Sequence, residues 1–336
     1  MNRRNFIGNS GKAGLALSLL GLYACKDPKK DRNTSATLPE ETVVETASLP
    51  FFKLSLAQWS IHRMIIEQGF NPLNFAEKAS AWGFEGLEYV SQLYTGELKK
   101  NSSSAMAMDN LVRELQQRSA DHNMKNLIIM VDAEGDLAIK SNKERNKAVE
   151  NHHKWVDAAA ALGCHSIRVN LFGEKQPDAW KKYAAEGLSA LSEYAAKSNI
   201  NILVENHGHF SSDAVLLTDV MKAVNMKNCG TLPDFGNFCL KREDDKLWGA
   251  PCVEEYDKYK GVKELMPYAR SVSAKSYDFD EAGNETTIDY VKMLQIVKNA
   301  GYTGYIGVEY EGDRLSEEEG IKATKALLIN AAKKVS

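Results

Sequence analysis

Three short stretches carry the groups able to do chemistry. Ile202-Leu203-Val204-Glu205-Asn206-His207-Gly208-His209 is an apolar run ending in a carboxylate, an amide and two imidazoles. Tyr305-Ile306-Gly307-Val308-Glu309-Tyr310-Glu311-Gly312 has the same design and closes on two acids. Gly230-Thr231-Leu232-Pro233-Asp234-Phe235-Gly236-Asn237 lies between them. Short apolar runs of this kind read as strands buried on both faces. Their polar ends then sit where the chain leaves the core, and Gly208 frees it to turn away. Acids gathered at one rim repel one another and hold protons unless a cation neutralises them. A single divalent ion is the economical solution. Carboxylate oxygens with few imidazoles suit Mn²⁺ or Mg²⁺, and Zn²⁺ or Co²⁺ become candidates if His207 joins.

The elements that must position these groups alternate along the chain from Phe51 onward. Eight apolar runs are expected as strands: 53–59, 86–90, 125–131, 166–171, 201–205, 229–232, 271–275 and 305–310. Amphipathic stretches are expected as helices at 71–82, 109–122, 142–162, 178–198, 213–224, 254–266, 288–299 and 317–333. Gly83, Gly163 and Gly301 stand where helices end. Eight β/α units over this length predict a single-domain α/β fold, a (β/α)8 TIM barrel spanning 51–336. No GxGxxG follows the first strand, which argues against an open dinucleotide-binding sheet. In a barrel the site lies at the C-terminal ends of the strands. The polar residues there are Gln58, His62, Glu88, Asp132, Asn170, Glu205, His207, Asp234, Asn237, Lys275, Glu309 and Glu311. Arg168 and Lys275 are too few to pair with that many acids. The long connection 238–255 carries Trp248, placed either to stack on a sugar or to tuck against the barrel.

The N-terminus has a different character. Arg3-Arg4-Asn5-Phe6-Ile7 resembles a twin-arginine export signal, followed by an apolar core too short to span a bilayer. Leu22-Tyr23-Ala24-Cys25 resembles a lipoprotein cleavage box, with Cys25 as the lipidated residue. Residues 1–24 are therefore expected to be a signal peptide and 25–50 a flexible tether. The implied location is outside the inner membrane, as a periplasm-facing lipoprotein whose only membrane contact is its lipid anchor. The other four cysteines, at 164, 229, 239 and 252, form no metal-spaced set. They are expected to be buried free thiols, because a domain this large needs no staple. The 336-residue chain is 43% apolar and 26% charged with net charge −3, as in a soluble globular protein. Loss of residues 1–24 removes Arg3, Arg4 and Lys12 and no acid, leaving −6. With no basic stripe, nucleic acid is excluded as a partner.

Taken together, Val-Glu-Asn-His, Leu-Pro-Asp-Phe-Gly-Asn, Ser-Ala-Lys-Ser-Tyr-Asp and Gly-Tyr-Ile-Gly-Val-Glu-Tyr-Glu-Gly resemble the sugar phosphate isomerase/epimerase superfamily, the xylose isomerase-like barrels. The likeness covers about 51–333. It implies one divalent metal held by four side chains, with Glu205, Asp234 and Glu309 as three of them. The fourth place, usually His or Gln, is Ser273 here. By the same resemblance Glu205 and Glu309 exchange a proton next to a sugar carbonyl, making an isomerase or epimerase that works through an enediolate. Lys275 would steady the oxyanion, and His62 or His207 would shuttle protons. Gln58, Glu88, Asn170, His207, Asn237 and Trp248 would contact a small carbohydrate or keto-sugar. A 3-keto-glycoside lyase shares the first step and is the alternative. A carbohydrate-binding lipoprotein without catalysis is the reading from another class, with Ser273 as its support. A nuclease of the related endonuclease-IV type would need a histidine-rich cluster and a basic face, whereas seven His and a negative balance are present. No Gly-rich phosphate cradle follows the last two strands, and the oligomeric state, a homo-oligomer included, stays open.

Overall fold

The computed structural model describes residues 50–100 and 103–335. The expected signal at 1–24, Cys25 and the tether lie outside the described residues. Among the described residues ten strands occur: β1 Lys53–Ala57, β2 Gly86–Val90, β3 Lys125–Val131, β4 Ser166–Val169, β5 Asn201–Glu205, β6 Cys229–Leu232, β7 Cys239–Arg242, β8 Cys252–Glu255, β9 Val272–Ser276 and β10 Tyr305–Tyr310. Eight form one all-parallel sheet in the order β6-β5-β4-β3-β2-β1-β10-β9, so β1 sits between β2 and β10. Isolated parallel bridges Thr231↔Ala269 and Asp234↔Ser273 join the remaining edges. Phe235 N donates to Ser273 O at 3.1 Å and Ser273 N to Pro233 O at 2.9 Å across that seam. The result is a curled (β/α)8 barrel in which β9 and β10 are the seventh and eighth staves.

Period-two alternation explains what lines each side of the wall. Leu54, Leu56, Leu87, Tyr89, Ile167, Val169, Ile202, Val204, Ile306 and Val308 join the large apolar cluster shared with the helices. Their neighbours point inward. Ala57, Val90, Ile128, Met130, Leu203 and Leu232 form a second, smaller cluster. The same inward phase carries Ser55, Glu88, Arg168, Glu205, Ser273, Lys275 and Glu309, all buried. Gly307 is also in phase, and a Cβ there would stand 2.6 Å from Glu88 Oε2. Glycine therefore makes room for a carboxyl inside the barrel.

The helices ring this wall as the amphipathic pattern requires. The helix Asn142–Leu162 is capped by the Ser141 side chain and ended by Gly163 at φ 81°. The helix Glu317–Ala332 opens on a Ser316/Glu319 capping box. The expected helix at 254–266 is shorter, Lys258–Leu265, because 252–255 pair as β8 with β7 in an antiparallel hairpin. A Cys239–Cys252 disulfide staples that hairpin, so the expectation of four free thiols is wrong for two of them. The barrel indeed needs no staple, but this two-stranded excursion has no core of its own. Cys164 and Cys229 are free and buried. Among the described residues, no helix is long and apolar enough to cross a membrane.

Candidate active site

Glu205, Asp234 and Glu309 come from the ends of β5, β6 and β10. They are fully buried, and one carboxylate oxygen from each lies within 4.8 Å of the other two. Ser273 Oγ, on β9, donates toward Asp234 Oδ2 at 2.6 Å and Glu309 Oε2 at 2.8 Å. One hydroxyl proton can serve only one of these oxygens at a time. Asp234 is aimed by its neighbours: its Oδ1 accepts from Gly236 N and Asn237 N at 2.8 and 2.7 Å. The Asn206 side chain clamps this turn, accepting from Asp234 N at 2.7 Å and donating to Asp234 O and Asn237 O. Sequence reasoning passed over Asn206; its place in Val-Glu-Asn-His was the signal.

Two cations stand among the acids. Lys275 Nζ, 1% exposed, is 2.9 Å from Glu311, 3.3 Å from Glu309 and 3.9 Å from Asp234. Burial works against its charge, but Glu309, Glu311 and Asp234 outweigh that and hold the amine well above its ordinary pKa. Arg168 donates from Nη1 to Asp132 at 2.9 Å, and its Nε stands 2.9 Å from Glu205 Oε2. That second approach is an ion pair without hydrogen-bond alignment, so both atoms lack a hydrogen-bond partner. Two positive charges thus face six carboxyls: Glu88, Asp132, Glu205, Asp234, Glu309 and Glu311. Burial pushes Glu205 well up, and Asp234 up to about 6. The close triad and the all-oxygen donor set fit a hard divalent cation. His207 is not part of that triad. Its Nδ1 bonds Asn170 Oδ1 at 2.8 Å, which assigns the proton to Nδ1, and burial lowers its pKa to about 3, so it is neutral.

Above the triad opens a cavity of about 660 Å³. Glu309, Glu311, Asn237, Asn170, His207 and Trp248 line it, as do Asp132, Arg168 and Tyr277. Glu205 and Asp234 lie behind Asn237, whose Nδ2 donates to Glu205 Oε1 at 3.2 Å. Ser273 and Lys275 lie with the triad beneath the lining, and three further expected residues are not brought to the cavity. Gln58 is buried and spent, accepting from Val90 N and donating to Tyr94 Oη and Pro72 O. His62 stacks on Trp59 at 4.4 Å, and its Nδ1 lies 2.7 Å from Trp59 O and 3.4 Å from Glu317. Glu88 lies deeper inside the barrel, accepting from Ser55 Oγ at 2.6 Å with Oε2 unpartnered. None of the three lines the cavity, since a strand-end position in sequence does not say how far above or below the rim the side chain reaches.

A family model described as xylose isomerase-like TIM barrel matches residues 76–331. The chain belongs to that family. Its barrel resembles the solved 3-keto-D-glucoside 4-epimerase of E. coli, with TM-score 0.61 and 15% identity over 83% of this chain and 99% of the other. It also resembles an IOLI protein with a bound zinc atom, with TM-score 0.61 and 16% identity over 85% and 99% of the two chains. Both likenesses concern the xylose isomerase-like fold. A curated relative, the 3'-dehydrocarminate deglycosidase alpha subunit of Microbacterium sp, is 28% identical over 133 residues, 37% of this chain and 36% of that one. The chain spans no more than 36% of the length of the curated relatives it matches.

Proposed function

We propose that the chain is a divalent-metal-dependent enzyme that moves a proton next to the carbonyl of an uncharged keto-sugar, as an isomerase or epimerase. The convergence of Glu205, Asp234 and Glu309 beneath an open cavity carries this reading. These three would hold the ion, with Ser273 beside them, and the ion would supply Lewis acidity toward a sugar carbonyl. Glu309, which faces the cavity, takes the proton from the carbon next to that carbonyl. Glu205 is the partner that returns a proton once Asn237 shifts off its Oε1. Lys275, held charged by its acids, donates to the oxygen that becomes negative. Asn170 and neutral His207 orient the hydroxyls.

Lyase chemistry on a 3-keto-glycoside is the second reading. It is favoured by the deglycosidase relative, and it differs only in where the electron pair collapses, expelling a leaving group at the β carbon. The location follows from residues 1–25: an exported lipoprotein, supported by the partly exposed Cys239–Cys252 disulfide, which suits an oxidising compartment. The test is solvent deuterium exchange into a keto-sugar with metal-loaded protein. Incorporation lost in Glu309→Gln is expected, and a protein that binds sugars yet exchanges no deuterium would be a binder rather than an enzyme.

A further inference from the structure

The cavity holds more than the proton-transfer reading needs. At about 660 Å³ it falls in the range of sites that enclose drug-sized ligands. Its lining is largely polar, but one corner is aromatic. Phe172, His207 and Trp248 meet there: Trp248 stands edge-on to Phe172 at 6.3 Å and 79°, and 4.6 Å from the His207 ring. Trp248 rests over Gly208, whose built Cβ would still leave 3.8 Å to the indole. It nevertheless stays 44% exposed. Together with Phe172, the open indole offers a flat aromatic surface that a ring could cover. The strap that carries it is fixed at its base by the Cys239–Cys252 disulfide, and Arg242 Nη1 donates to Ala250 O at 2.8 Å within its loop. The indole is therefore presented on a braced hairpin.

Charge narrows the ligand further. Asp132, Glu134, Asp136, Glu309 and Glu311 line the cavity against Arg168 and Arg242. Lys154 offsets Glu134, and Asp132 is already paired with Arg168. With Lys275 beside Glu309 and Glu311, five acids face four cations, and the lining is left with one net negative charge before an ion binds, which gives an anionic ring no advantage there.

We propose that the Phe172–Trp248 corner is a second-ring subsite, so that the substrate is an uncharged glycoside whose leaving or neighbouring ring has a flat apolar face. This rests on the keto-sugar reading for the inner half only. The outer half would bind a ring whether or not the inner half transfers protons. An aromatic aglycone and a second pyranose both present such a face, and the measurement separates them.

Calorimetry on the metal-loaded chain with methyl β-D-glucoside, phenyl β-D-glucoside and cellobiose is the direct test. Neither glucoside carries a carbonyl, and cellobiose is supplied as its methyl β-glycoside, which locks the reducing-end aldehyde as well, so turnover does not enter. Phenyl glucoside or cellobiose should bind about 3- to 10-fold tighter than methyl glucoside, the size of one ring-stacking contribution. In Trp248→Ala that ratio should fall toward one, and Phe172→Leu should reduce it as well. Phe172→Leu keeps the bulk and so remains informative if Trp248→Ala disturbs the strap. Preference for the phenyl glycoside identifies an aryl aglycone, and preference for cellobiose a second sugar. Equal affinity for all three, no binding by any, or a ratio unchanged in both variants overturns the subsite. Loss of deuterium exchange with the ratio intact would overturn the enzymatic reading alone.

Discussion

At the residue scale, the site is defined by which carboxyls can stay charged. Glu205→Gln and Glu309→Gln should each cut deuterium incorporation into a keto-sugar by at least about 100-fold, the usual size of a lost acid/base group. Circular dichroism should be unchanged, since neither residue packs the apolar cluster. Glu88 gives a separate, pH-dependent expectation. Burial pushes its pKa from 4.5 to about 7. The folded chain therefore keeps a proton that the unfolded chain releases, and stability falls as pH rises from about 4.5 to 7, then levels off. The loss is on the order of 3 kcal/mol for a fully buried group. Glu88→Gln removes it, so the variant's Tm advantage over the parent should be larger at pH 8 than at pH 5. An advantage equal at both pH values would show that Glu88 is ionised in the fold. Much of this residue set was legible. Glu205 ends β5, Lys275 and Glu309 stand next to last in β9 and β10, Asp234 follows β6 by two residues, and alternation puts them on one side of the wall. Gln58 and His62 stay out of the lining although Trp59 between them joins it, because their polar atoms are taken up locally, by Val90, Tyr94 and Pro72 for Gln58 and by Trp59 for His62.

At the element scale, β2, β3, β5, β6 and β10 and the helix Asn142–Leu162 match the sequence bounds residue for residue. Runs buried on both faces leave little choice of limits. The β7–β8 hairpin was not legible, since its strands are four residues each, half charged, and neither buries a face. Its only sequence signal was a cysteine pair 13 residues apart. Such a hairpin is held by its covalent link more than by burial. Reduction should accordingly speed trypsin cleavage after Lys241, Arg242 or Lys246, while the rest of the barrel resists. In the same reduced sample KM for a glycoside should rise with kcat little changed, because Trp248 loses its fixed place. Cleavage that does not respond to reductant would mean that packing alone holds the strap.

For the whole molecule, the acids are a liability that the fold tolerates for the sake of the site. A divalent ion should raise Tm by mass action, and chelator should reverse the gain. Mg²⁺, Mn²⁺, Zn²⁺ and Co²⁺ compared by thermal shift would rank the donor set. Export adds one more expectation: Cys25→Ser should move the chain from the membrane fraction to the soluble one if the lipid is its anchor.

The join between β6 and β9 has only scattered bridges where the other staves share ladders. Asp234 stands on one bank of that gap, and Ser273, with Glu309 beside it, on the other. An ion gripped by both banks would act as a rivet across the one slack stave. Amide exchange at Phe235 and Ser273 should slow when Mg²⁺ is added, far more than at the laddered strands.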